Sequence, residues 1–301
     1  MTRNLDYLGK MKPVLLLGGS GQLGLALHSL IEKDLVVLLG RAEINFLLPD
    51  EICKLIIKLH PCIIVNAAAY TGVECAEIET EQAFNINGQA VACLAKAAEQ
   101  VDALLVHFST DYVFDGSGFK AWQEVDLPAP LNTYGKSKWQ GEQSIIASDC
   151  RYLILRTSWL HSQYGENFLK TMLHLGKEKK TLSVICDQIG APTSASMLAQ
   201  VTLQAIDKVL LDSRLCGLYH VAASGETSWY NYACFIFEEA RALGVELKVS
   251  EVKPITSHGY PALATRPLNS RLDTTKFRTT FGIELPDWRG GVRETLGQII
   301  N

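Results

Sequence analysis

Short unbroken apolar runs alternate with segments of helical spacing through the first half of the chain. Val14–Leu17, Leu35–Leu39, Cys62–Val65, Ala103–Phe108 and Tyr152–Leu155 are the runs, and their brevity predicts strands buried on both faces. Between them, Gln22 to Glu32, Glu51–Leu59, the Ala-rich stretch Glu81 to Gln100, and Thr133 to Ser148 predict helices. Strand and helix in strict alternation imply an α/β fold: a doubly wound parallel sheet with helices on both faces. Beyond about Trp159 the rhythm loosens. Helices are predicted over Phe168–Leu175, Ser196–Leu211 and Tyr230–Leu243, with short strands near Leu182–Ile185, Gly217–Val221 and Lys248–Val252. This implies a division into residues 1–160 and a smaller α/β substrate-binding domain over 161–301, built at the sheet's carboxyl edge. The chain is expected to cross back between the two. Met1 to Lys10 lack the apolar core of a signal peptide and read as a flexible leader before Met11.

Composition narrows the ligand. With 48% hydrophobic and 20% charged residues and a formal net charge of −4, the 301-residue chain reads as an ordinary soluble protein. No global basic field invites nucleic acid or an anionic membrane, so an anionic ligand must be held by local groups. The eight cysteines include no Cys-x-x-Cys pair and mostly sit in apolar runs, where thiols act as small hydrophobes. No metal site is expected, and a reducing, cytoplasmic setting fits. No apolar stretch reaches the roughly 18 residues of a membrane helix.

The first chemical signal is Leu17-Gly-Gly-Ser-Gly-Gln-Leu-Gly24, between the first strand and the first helix. That context makes the glycine pattern a dinucleotide-binding, Rossmann-like loop: side chains would obstruct the pyrophosphate, and a helix N-terminus favours its charge. Gly18, Gly21 and Gly24 are the candidate glycines. The second strand ends Leu39-Gly40-Arg41, without an acid at Leu39 or Gly40 to bond a ribose 2′-hydroxyl, and Arg41 suits a 2′-phosphate. NADPH is therefore expected ahead of NADH. Ala67, Ala68 and Ala69, after the third strand, offer a floor for the cofactor. Asn87 interrupts a helical pattern and is expected to be a solvated polar residue.

Carbonyl reduction needs a hydride and a proton for the developing alkoxide. The fourth strand delivers His107-Phe-Ser-Thr-Asp-Tyr112 at its carboxyl end, and Tyr134 and Lys138 share one face of the next helix. A tyrosine hydroxyl can give the proton, a neighbouring ammonium is expected to lower its pKa, and Thr110 can polarise the carbonyl. Tyr-x-x-x-Lys is weak alone; behind a strand ending Ser-Thr it is strong.

Four strings carry a family likeness: Gly21-Gln-Leu-Gly24, Asn66-Ala-Ala-Ala-Tyr-Thr71, Ser109-Thr-Asp-Tyr-Val-Phe-Asp-Gly116 and Tyr134-Gly-Lys-Ser-Lys138. Arg156-Thr-Ser-Trp159, Asn167-Phe168, Asp187-Gln188, Gly190-Ala-Pro-Thr193 and Arg266-Pro-Leu-Asn-Ser-Arg-Leu272 continue it. From about Met11 to Leu296 the chain resembles the dTDP-4-dehydrorhamnose reductases, extended short-chain dehydrogenases/reductases. The resemblance implies catalysis by Thr110, Tyr134 and Lys138, and substrate contacts from Thr110, Asp111 and Trp159. It implies cofactor contacts from Gly21, Gln22, Leu23, Asn45, Phe46, Ala69, Tyr70, Thr71 and Phe108, with Lys138 also on the nicotinamide ribose. The implied reaction is reduction of the C4 ketone of dTDP-4-dehydro-L-rhamnose for surface polysaccharide such as O-antigen. Arg266 and Arg271 would then suit the substrate's pyrophosphate. The chain departs from the pattern at Asn45, where many relatives carry Asp. It also has Ala26 and Ser196 where some members hold a magnesium-bridged dimer through Glu, so a monomer or an unbridged homodimer is expected. Two other functions share these motifs: a nucleotide-sugar epimerase or dehydratase, and a non-catalytic regulatory subunit of the methionine adenosyltransferase type.

Overall fold

The computed structural model describes residues 13–40 and 43–300; the leader expected over 1–10 and the candidate Arg41 lie outside the described residues. Strand β1 (Val14–Leu17) turns through the glycines into α1 (Gln22–His28). β2 (Val36–Leu39), α2 (Pro49–Leu59) and β3 (Ile63–Asn66) follow. The single helix expected over Glu81 to Gln100 is a composite of α3 (Val73–Ile78), just upstream, α4 (Thr80–Phe84), a π-helical turn Asn85–Gln89 and α5 (Ala90–Val101). β4 (Leu104–Thr110), α6 (Thr133–Ile146) and β5 (Arg151–Thr157) complete the first half.

The second half comprises β6 (Leu160–His161), α7 (Phe168–Glu178), β7 (Thr181–Ile185), β8 (Ile189–Gly190), β9 (Thr193–Ser194) and α8 (Ala195–Leu211). It continues with β10 (Gly217–His220), β11 (Thr227–Ser228), α9 (Trp229–Ala242), β12 (Glu251–Ile255), α10 (Thr275–Phe281) and α11 (Trp288–Ile300). The strand expected near Lys248–Val252 lies three residues later, because its pairing with β7 runs from Glu251↔Thr181 to Ile255↔Ile185 while Val249 enters the core. Helices α10 and α11 were not expected. Their apolar residues do recur at helical spacing, with Phe277 and Phe281, then Trp288, Val292 and Leu296, all buried.

The central sheet has the order β2-β1-β3-β4-β5-β10 and every pairing in it is parallel. Alternate strand residues feed two cores. Leu15, Leu17, Ile64 and Leu105 face α2 and α5, whereas Leu16, Val65 and Val106 join a larger cluster that continues through α8, α9 and α11 to Leu296. Each such side chain contributes about 1.5–3 kcal/mol on full burial. β10 lies in the first half's sheet, and α8 packs on α1 across its face. The other strands of the second half pair two by two, as β6 with β9, β7 with β12 and β8 with β11.

Candidate active site

Strand order reverses between β1 and β3, so the loops leaving β1, β3 and β4 open a crevice at the carboxyl edge. Gly18 has φ +77°, and a Cβ there would stand 2.5 Å from the Ala68 amide nitrogen. Only bare backbone fits between the two strand ends, so the loop turns tightly against the end of β3. Gly21 donates its amide to the Gly18 carbonyl at 3.0 Å and precedes α1 without any side-chain cap. The first-turn amides are therefore open to an anion. A dinucleotide fits this cradle. Gln22 and Leu23 can touch it through backbone alone. The Gln22 Oε1 accepts from Asn167 Nδ2 at 2.8 Å and Ser162 Oγ at 3.1 Å, and Leu23 is buried in the core.

At the end of β2 the structure adds an acid that the reading of Leu39 and Gly40 missed. Glu43 turns back so that its Oε2 accepts from the Gly40 amide at 2.8 Å. Asn45 caps its own turn by accepting from the Leu47 amide at 3.0 Å, and Phe46 packs against the α2–α5 core.

Asn87 is not solvated. It is 1% exposed, and its side chain brackets the Tyr70 peptide, accepting from the amide at 2.9 Å and donating to the carbonyl at 3.0 Å. It also donates to Ser137 Oγ at 3.0 Å. The π-helical turn thus ties the Ala69–Thr71 loop to α6, an insertion found often at functional sites.

Helix α6 starts where Asn132 Oδ1 accepts from the Gly135 amide at 2.8 Å and Glu77 accepts from the Thr133 amide at 2.7 Å. A Cβ at Gly135 would lie 2.2 Å from the Tyr112 carbonyl oxygen, so glycine lets the helix sit against the end of β4. Tyr134 then meets Tyr112 edge to face with centroids 5.6 Å apart. Lys138, 2% exposed, donates from Nζ to the Phe108 carbonyl at 2.6 Å and lies 3.3 Å from His107 Nε2. Burial draws this ammonium down to about 8, while the Glu142 carboxylate pulls it upward. His107 is buried with its Nδ1 3.1 Å from Asn66 Nδ2, and burial beside Lys138 keeps the ring neutral.

The expected lowering of the Tyr134 hydroxyl is not found. Burial pushes it up to about 12; the Thr110 hydroxyl lowers it and Asp111 adds to the rise. Desolvation dominates, a facing carboxylate adds to it, and the Lys138 Nζ is turned away to Phe108 and His107. Thr110 donates to Asp111 Oδ1 at 3.1 Å and accepts from the Tyr112 amide at 3.1 Å. Burial raises the Asp111 carboxyl to about 6, against hydrogen bonds from Ser270 and Thr110. Ser109 Oγ, Asp111 Oδ2 and Thr157 Oγ1 are buried at the ends of β4 and β5 without a partner among the described residues, polar atoms suited to a polar ligand.

The second half closes over this edge. Asn132 donates to the Thr265 carbonyl at 2.8 Å, the Asn269 amide donates to the Gly116 carbonyl at 3.0 Å, and Ser270 faces Asp111. Arg266 lies beside Tyr112 but is paired with Glu74 at 2.9 Å, and Glu74 also accepts the Leu263 and Ala264 amides. Arg271 is paired with Glu226 at 2.5 Å and Asn269 at 3.1 Å. Trp159 has φ +48° and stacks on Trp229 with centroids 3.6 Å apart; the bare Gly190 lies under its ring. Trp229 in turn donates its indole N–H to Gln188 Oε1 at 3.0 Å, which fixes the stack. Of the sequence candidates, Thr110, Asp111, Tyr134 and Lys138 gather at the end of β4 with Phe108, while Arg271 turns to Glu226.

A parallel sheet with a bare glycine cradle at its switch point and a Thr–Tyr–Lys cluster beside it defines a dinucleotide-binding oxidoreductase of the short-chain dehydrogenase/reductase class. The chain matches the family model described as RmlD substrate binding domain over residues 11–300, and it belongs to that family. It is 44% identical over 291 residues to a dTDP-4-dehydrorhamnose reductase of Salmonella typhimurium, covering 95% of this chain and 97% of the relative. A dTDP-4-dehydrorhamnose reductase of Escherichia coli K12 is 46% identical over 255 residues, 85% of each chain. The crystal structure of a dTDP-4-dehydrorhamnose reductase from Bacillus anthracis in complex with NADP aligns with a TM-score of 0.87 and 35% identity, over 96% of this chain and 100% of that one.

Proposed function

We infer that the chain is an NADPH-dependent oxidoreductase that reduces the C4 ketone of dTDP-4-dehydro-L-rhamnose to dTDP-L-rhamnose. The observation that carries this reading is the Thr110–Tyr134–Lys138 cluster at the switch-point crevice, with Thr110 and Lys138 buried and Tyr134 half-buried, in a chain with a relative of near-full coverage that is a reductase of this name. NADPH supplies the hydride when bound, and the protein must supply its orientation and the proton. Gly18 and Gly24 let the loop close tightly on β3 and α1, Gly21 brings bare backbone to the pyrophosphate, and the backbone of Gln22 and Leu23 offers amides to it. Ala69, Tyr70 and Thr71, held by Asn87, form the floor, and Phe108, Asn45 and Phe46 border it. Arg41 answers the 2′-phosphate in this reading.

Tyr134 is the proton donor. A hydroxyl pushed up to about 12 stays protonated through the neutral range, and it gives its proton because hydride addition turns the carbonyl oxygen it faces into an alkoxide, a stronger base than the phenolate left behind. Thr110, now donating to Asp111, turns its hydrogen toward that oxygen when substrate arrives. Lys138 binds the nicotinamide ribose and returns the proton to Tyr134. Asp111 and Trp159 contact the sugar, and Arg266 with Arg271 the diphosphate. The product serves surface polysaccharide such as O-antigen, in the cytoplasm; among the described residues no helix is long and apolar enough to cross a membrane.

The test is NADPH oxidation with dTDP-4-dehydro-L-rhamnose as substrate. Turnover with exchange of free cofactor supports the reading. Protein that retains bound NAD and epimerises a nucleotide sugar would instead make it an epimerase. A specific observation favours a second cofactor: Glu43 at the end of β2 can accept a ribose 2′-hydroxyl, so NADH is also used.

A further inference from the structure

Helix α6 buries more charge than its fold requires. Beside Lys138 it carries Glu142, 1% exposed, bound by both oxygens to Arg156, itself 3% exposed: Nε to Oε1 at 2.9 Å and Nη2 to Oε2 at 2.6 Å. The third arm of Arg156 reaches His220 Nε2 at 3.4 Å, and His220 Nδ1 meets the Trp122 carbonyl at 2.9 Å. The pattern is consistent with one tautomer only: a neutral ring that accepts from Arg156 and donates to Trp122. Burial and the guanidinium hold His220 down at about 3, so the ring stays neutral. Phe114 lies under the guanidinium at 5.0 Å. The Glu142 carboxylate cannot turn away.

A buried ion pair of this kind is commonly replaceable by apolar residues at little cost in stability, so packing alone does not explain it. Its position does. Tyr134, Lys138 and Glu142 stand four residues apart in sequence and share one face of α6. Lys138's hydrogen-bond partners, the Phe108 carbonyl and the neutral His107, carry no net charge, and Glu142 is the charge that favours its ammonium. The other titratable groups around this face are spoken for. Asp111 and Tyr112 face Tyr134, Glu77 caps Thr133, and Arg156 and His220 lie beyond Glu142.

We propose that Glu142, fixed by Arg156 and His220, is a positioning residue that keeps Lys138 an ammonium at neutral pH and so sustains proton return to Tyr134. This rests on the role given above to Lys138. Two measurements separate the layers: the protonation of Lys138 itself, read by NMR on protein with 15Nζ-labelled lysine, and the alkaline limb of kcat with saturating NADPH. Glu142→Gln should lower the Lys138 midpoint, about 8 in the parent, by roughly one pH unit or more. Because that variant strands a buried guanidinium, the double variant Glu142→Gln with Arg156→Met is measured beside it, with folding checked by thermal denaturation. Its midpoint should also fall, since the nearer charge is lost. Arg156→Lys retains the carboxylate and should keep the parent midpoint. A folded double variant with an unchanged midpoint overturns the proposal. A midpoint that falls while the alkaline limb of kcat stays in place overturns the role of Lys138 instead.

Discussion

Asn87 offers the sharpest test of how the crevice is held. Asn87→Ala removes three hydrogen bonds at once, two to the Tyr70 peptide and one to Ser137 Oγ. Ser137 keeps a partner, because its hydroxyl donates to the Tyr134 carbonyl at 2.8 Å. The Tyr70 amide and carbonyl lose theirs, and each part-buried group left unmade costs about 1–3 kcal/mol, less where water enters. The expected loss is therefore about 2–4 kcal/mol, a fall in Tm of roughly 3–6 °C for a chain of this size. The kinetic effect should be selective. Ala69–Thr71 forms the cofactor floor in the proposed function, so KM for NADPH should rise several-fold while KM for the sugar nucleotide moves less. Differential scanning calorimetry and steady-state kinetics with each substrate varied give both numbers. A folded Asn87→Ala protein with the parent Tm and the parent KM for NADPH would refute the bracket as the element that orders this loop.

Tyr134→Phe removes one hydroxyl and should lower kcat by roughly 10²–10⁴-fold with cofactor affinity retained, as measured by stopped-flow binding and turnover; near-parent turnover would assign the proton elsewhere. Glu43→Gln should raise the NADPH-to-NADH ratio of kcat/KM and Arg41→Ala should lower it; an unchanged ratio in both variants would remove the end of β2 from cofactor choice. Asp111 gives a pH-dependent prediction. Its carboxyl is raised to about 6, so the folded state binds the proton more tightly than the unfolded one, and its contribution is full in acid and is lost as pH rises through about 6. Asp111→Asn should therefore be more stable than the parent at pH values near 8, by up to about 3 kcal/mol, with the gain vanishing near pH 4. Denaturant melts at the two pH values check it, and equal differences at both would be the contrary result.

The β-α alternation, the glycine cradle and the Tyr-x-x-x-Lys pair were legible because each is written in local spacing. Val14–Leu17 needs no tertiary knowledge to be read as a buried strand, and Tyr134 with Lys138 needs only the helical period. What was not legible depends on pairing across the fold. Asn87 looked solvated because its partners, Tyr70 and Ser137, lie 17 and 50 residues away. Glu43 was missed because a search for an acid at the strand end does not anticipate a turn that brings a later side chain back to Gly40. The Tyr134 hydroxyl was expected low because the sequence shows a neighbouring lysine and does not show burial or where Asp111 points.

The two arginines expected to meet a diphosphate are a further instance, and they bear on how substrate enters. Neither is a free cation: Glu74 holds Arg266 and Glu226 holds Arg271. Both acids are substantially exposed, with side-chain accessibilities of 37% and 60%, and pairs of that kind contribute about 0–1 kcal/mol each. Trading them for a bidentate phosphate contact is therefore inexpensive, whereas an unpaired arginine at the crevice would attract any anion. The two pairs are not equal, however. Glu74 also accepts the Leu263 and Ala264 amides, so releasing Arg266 leaves this carboxylate still anchoring the segment that carries Thr265 to Asn132 and the α6 cap. Among the described residues the acid that holds Arg271 accepts no backbone amide, and Arg271 is held on its other side by Asn269 Oδ1, which accepts from its amide and its guanidinium. On this geometry Arg266 can change partner without loosening the Tyr134 helix. That is the property required of a group that binds the diphosphate next to the reacting sugar.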